Sequence, residues 1–100
     1  MIQNMGLSKL LKHMLDEATQ TEQTQTINLQ RGLRLHVKIE QGYTTLGISR
    51  AEAYPSTQEW ATVTRALPYS LEIKPQSGIS KAGRFILYAQ WPTPTQEQWT

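Results

Sequence analysis

The sequence predicts an α+β fold, a two-layer sandwich in which a four-stranded, mostly antiparallel sheet carries two helices on one face, in the order α-β-β-α-β-β. Three patterns predict it: a helical apolar stripe near the start, an alternating hairpin in the middle, and a capped helix followed by two more alternating runs. The whole chain, residues 1–100, reads as one domain, large enough to bury a core without disulfides or metals.

The stripe comes first. Leu7, Leu10, Leu11, Met14, Leu15 and Ala18 recur at the i, i+3, i+4 spacing that places them on one side of an α-helix. This predicts a helix from about Asn4 to Thr19. Lys9 and Lys12 sit early and Asp16 and Glu17 late, opposite to what the helix dipole favours, so such a helix must depend on packing. The run TQTEQTQT that follows has little to bury and reads as a polar linker over residues 19–26.

The next stretch alternates. Leu29, Leu33, Leu35, Val37 and Ile39 share one face of an extended chain, with a bulge expected at Gly32. Gln41-Gly42 suits a two-residue turn, because glycine tolerates the positive φ such turns need. That turn sets a register with Glu40 opposite Tyr43, Val37 opposite Leu46 and Leu35 opposite Ile48. Aliphatic residues of both strands then meet on one face, and a slip of one residue would scatter them. On the other face Arg34, His36 and Lys38 stand opposite Ser49, Gly47 and Thr45, small uncharged partners that leave the cationic row unbalanced within the hairpin.

A second helix begins at a readable cap. Ser56 and Glu59 form the S-x-x-E capping box, with Pro55 and Trp60 at the staple positions. Trp60, Val63, Thr64 and Leu67 make the inward stripe, and Pro68 ends the helix. Tyr69, Leu71 and Ile73 alternate as a short strand stopped by Pro75. Gln76 to Gly83 reads as a turn-rich loop, and Arg84 to Trp91 as a central strand. Residues 92–100, with proline at 92 and 94, read as an irregular tail in which Trp99 is a candidate partner contact.

Composition narrows the function. The net charge is +2, but between Gln30 and Pro92 eight basic residues stand against four acidic ones. The middle of the chain is therefore the place to look for an anion site. Absence of cysteine excludes disulfides, thiolate metal sites and a cysteine nucleophile. The start lacks the apolar run of a signal peptide and no stretch reaches membrane-spanning length, so a cytoplasmic location away from membranes is expected.

Catalytic signatures are missing. No serine lies in a G-x-S-x-G elbow, and Ser77 to Arg84 fails the phosphate-loop pattern because no lysine follows its second glycine. His13 and His36 fall on separate elements, so neither a metal site nor a cofactor is expected. The expectation is a small non-enzymatic binding module, taking single-stranded DNA or RNA on a basic sheet face. Arg34, His36, Lys38, Arg50 and Lys74 would supply charge, and Tyr43 and Tyr88 would stack on bases. The alternative is a homo-oligomeric structural or regulatory interaction domain, using the open sheet face or the amphipathic N-terminal helix.

Overall fold

The apolar stripe folds as α1 (Asn4–Thr21) in the computed structural model, which describes residues 4–95. Leu11, Met14, Leu15 and Ala18 are buried, and the helix lies against the sheet. Each such aliphatic side chain contributes roughly 1.5–3 kcal/mol when withdrawn from water, which supplies what the poorly placed helix charges do not.

The sheet has five strands, not four. They are β1 (Gln25–Asn28), β2 (Arg34–Glu40), β3 (Tyr43–Arg50), β4 (Gln76–Ile79) and β5 (Phe85–Pro92). Their spatial order is β1-β2-β3-β5-β4, and every neighbouring pair is antiparallel. The second helix, α2 (Thr57–Arg65), enters between β3 and β4, so the order along the chain is α-β-β-β-α-β-β. One hydrophobic cluster joins the buried stripes of both helices to Leu35, Val37, Ile48, Leu87 and Trp91 on the inward side of the sheet.

The β2–β3 hairpin has the expected register, with Glu40 paired to Tyr43, Val37 to Leu46 and Leu35 to Ile48. Gln41 and Gly42 both take positive φ, the requirement of the tight turn that matches strand twist. The capping box is complete as well. Ser56 Oγ accepts from the Glu59 amide at 3.1 Å, and the Ser56 amide donates to Glu59 Oε1 at 2.9 Å. Ser56→Ala should lower stability by about 1 kcal/mol; an unchanged denaturant midpoint would remove the cap from the list of things holding α2.

Three expectations need correction. Residues 19–26 are not a linker: α1 continues to Thr21, and Gln25–Asn28 pair with Arg34–Val37 as an edge strand. Leu29 does not continue into β2 across a bulge. The chain reverses at Gln30–Gly32, where Arg31 and Gly32 adopt left-handed φ values and the Leu29 amide donates to Leu33 O at 2.7 Å. Finally, Tyr69, Leu71 and Ile73 form no strand but cover the core as partly buried side chains, while β4 occupies the first half of the presumed loop. An edge strand is held by main-chain hydrogen bonds to one neighbour, so the polar sequences QTIN and QSGI satisfy it with little apolar alternation to announce it.

The tail is strand as far as Pro92, and Thr93 is tied back by its amide to Gly42 O at 2.9 Å. The partner-contact expectation for Trp99 lies outside the described residues.

Candidate nucleic-acid interface

Alternation along each strand sends one set of side chains to the helices and the other to the uncovered face of the sheet. Two cross-strand rows carry most of that face. One runs Thr26, His36, Gly47, Tyr88, Gln76, and the next runs Asn28, Arg34, Ser49, Ile86, Gly78. Lys38, Thr45 and Gln90 follow at the hairpin end. At the centre lies a concavity of about 410 Å³, lined by His36, Lys38, Gly47, Lys81, Ile86 and Tyr88 among others. At its base Gly47 makes room for Ile86, whose Cδ1 would lie 3.0 Å from a Cβ at that position.

The cations of this face differ from one another in what they can do. His36 is held by a short relay. Arg84 Nε donates to Ser49 Oγ at 2.9 Å, and the same hydroxyl is hydrogen-bonded to His36 Nε2, also 2.9 Å away. On the other side of the ring Nδ1 is hydrogen-bonded to Thr26 Oγ1 at 3.3 Å. Burial, then the charges of Arg84 and Arg34, hold the imidazole below its ordinary pKa of 6.5. The charged form of the middle member of the basic row is thus disfavoured.

Lys38 bonds Glu40 at 2.9 Å on its own strand. Both side chains are well exposed, so the pair is weak and screened by salt. Arg34 Nε donates to Asn28 Oδ1 at 3.0 Å and has no carboxylate partner among the described residues. Arg84 lies close enough that burial, and then the charge of Arg34, lower its own pKa. Its Nη2 is occupied by Gly32 O at 2.9 Å and Ser49 O at 3.1 Å. Arg84 thus lies in the field of Arg34, and among the described residues both guanidinium groups bond only neutral acceptors.

Other expected site residues are elsewhere. Arg50 belongs to the inward set of β3 and grips Glu59 of α2 through both terminal nitrogens, with Nε on Arg31 O at 3.0 Å. It is not part of the open face. Lys74 is exposed in the segment before β4 and does not line the concavity. Tyr43 is exposed at the hairpin end, opposite Pro92 and away from the concavity. Of the expected set, Arg34, His36, Lys38 and Tyr88 come together. Ser49, Gly47 and Arg84 join them. The hairpin register already put Ser49 and Gly47 across from the cations, but the reach of Arg84, just before β5, had no local signal.

A serine hydroxyl 2.9 Å from a histidine nitrogen resembles a nucleophile and its base. Ser49 is fully buried, however, its oxygen already accepts from Arg84, and His36 is oriented by a threonine hydroxyl where a carboxylate would be needed. The relay builds structure. Among the described residues no three His, Cys, Asp or Glu side chains gather as a metal set, and no helix is long and apolar enough to cross a membrane.

No protein-family model, curated protein or solved structure matches this chain. Its function therefore has to be argued from the chemistry of the site itself.

The relay also carries a pH dependence. Since the folded-state pKa of His36 lies below 6.5, the unfolded chain takes up the proton more readily. The contribution of His36 is full above about pH 6.5 and is lost as pH falls from there toward the folded-state value. The thermal midpoint should fall between pH 7 and 5, and His36→Gln should flatten that step. Equal steps in the two proteins would show that the imidazole is not the group responsible.

Proposed function

We propose that the chain is a non-enzymatic binding module that takes single-stranded DNA or RNA across the open face of its sheet. What supports this most is the 410 Å³ concavity itself, lined by Tyr88 and Ile86 together with Lys38 and Lys81. An aromatic and apolar lining suits an unpaired base, and the two lysines suit the phosphates on either side. Arg34, one cross-strand row away, adds a third cation without a carboxylate partner among the described residues. A duplex would offer neither exposed base faces nor a narrow enough backbone to follow this groove.

The test is anisotropy of a labelled single-stranded oligonucleotide over a range of salt. Neutralising three or four phosphates gives a log–log slope of roughly −2 to −3. Arg34→Glu combined with Lys38→Glu should abolish binding at moderate salt. No binding at low salt, or binding indifferent to that double substitution, would end this reading.

A second reading, a homo-oligomeric interaction domain, draws on Ile79, which is 58% exposed on the edge strand β4 beside the same concavity. In it, a second copy would cover the sheet face. The N-terminal helix is a poor candidate for that contact, because the centre of its stripe is already buried against its own sheet. Light scattering at high concentration separates the two: a monomer that binds oligonucleotide leaves only the first.

A further inference from the structure

We infer that the concavity is a one-base slot, formed where Gly47 interrupts the row between His36 and Tyr88, and that it recognises a base by its flat face and not by its hydrogen-bonding edge. This rests on the nucleic-acid reading above and adds what the face would select.

The row places His36, Gly47 and Tyr88 on three successive strands. Adjacent strands lie about 4.7–4.9 Å apart, so the two flanking residues stand roughly 9.5 Å apart at their backbones. Nothing rises from Gly47 between them. Van der Waals contact on each side takes about 3.5–4.0 Å, so one planar ring fits between them. Ile86 closes the bottom, its Cδ1 3.0 Å from where a Gly47 Cβ would be. Tyr88 leans the other way, its Cε1 3.7 Å from the position of a Gly78 Cβ on β4. A glycine on each side of β5 therefore serves the same end: one lets Ile86 lie low across the base of the slot, and the other lets the tyrosine ring tilt clear of it.

The chemistry of the walls decides what is read. Both ring nitrogens of His36 are engaged, by Thr26 and by Ser49, so the imidazole presents carbon to the slot and no free donor or acceptor. Ile86 is aliphatic. Gln90 Nε2, in the neighbouring row, is turned to Thr45 Oγ1 at 3.3 Å. A base entering here meets surfaces that favour stacking with any of the four ring systems, while Lys38 and Lys81 hold the phosphates. The ligand class is thus single-stranded nucleic acid with at least one unstacked base, with weak dependence on which base it is.

The experiment compares an oligothymidylate with an abasic phosphodeoxyribose strand of the same length and charge. The expected preference for the base-bearing strand is about 5- to 150-fold. Gly47→Val fills the slot and Tyr88→Ala removes a wall, so each should bring that ratio toward one. Thermal melting checks that the variants fold, and if Gly47→Val does not, Tyr88→Ala decides. Equal binding of both strands by the native protein would overturn the slot while leaving a phosphate-binding surface standing. A ratio preserved in Tyr88→Ala would overturn it too. Failure of both strands to bind at low salt would overturn the slot and the nucleic-acid reading together.

Discussion

Leu11→Ala should cost about 3–4 kcal/mol of folding stability and lower the thermal midpoint by roughly 12–30 °C. Leu11 is fully buried at the centre of the α1 stripe, between Met14 and Leu15 on one side and the inward side chains of β2 on the other. Its removal leaves a cavity between two rigid layers that can close only by moving the whole helix. Lys9, Lys12, Asp16 and Glu17 give α1 little stability of its own, so loss of this contact should loosen the entire helix. Hydrogen exchange would report that as faster exchange along α1 with the β2–β3 hairpin still protected. A midpoint lowered by only a few degrees would show that α1 is held mainly by something other than its stripe.

Glu59→Ala should cost about 2–3 kcal/mol, because one carboxylate does two jobs. It closes the capping box of α2 through the Ser56 amide, and it accepts both terminal nitrogens of Arg50 from β3. The Arg50 guanidinium, and after it the Ser56 amide, hold the Glu59 carboxyl at about 2 in place of its ordinary 4.5. A carboxyl lowered on folding stabilises the fold above its unfolded value. That contribution is complete above about pH 4.5 and is lost as pH falls toward about 2. The native protein should therefore weaken across that interval, and Glu59→Ala should not show this part of the loss. Glu59→Gln separates the two jobs: it retains an oxygen for the cap but surrenders the charge, so it should fall between native and alanine. If glutamine and alanine behave alike, the ion pair carries the whole effect.

The Arg50–Glu59 contact also shows why part of the expected site was misplaced. In a list of basic residues Arg50 looks equivalent to Arg34. Parity along β3 puts it on the opposite side of the sheet, where the capped end of α2 meets it. The alternation was visible in the sequence, since Leu46 and Ile48 share its parity, yet the destination of the side chain was not. The expected cationic row was also overcounted. Arg34, His36 and Lys38 do share one face, but burial, and then the charges of Arg84 and Arg34, lower the pKa of the middle member, and Arg84 reaches it from just before β5.

What the sequence determined alone was whatever short-range chemistry decides. The Gln41-Gly42 turn and the alternation on both sides of it admit one register, and the Ser56–Glu59 box marks the start of α2 from four consecutive residues. What only tertiary structure decided was the role of segments whose own residues are indifferent. Gln25–Asn28 and Gln76–Ile79 become strands because β2 and β5 offer them free main-chain donors and acceptors, not because their side chains demand burial. The row through Gly47 belongs to the same class: a glycine in a strand pattern is silent until the strands on either side place a histidine and a tyrosine next to it.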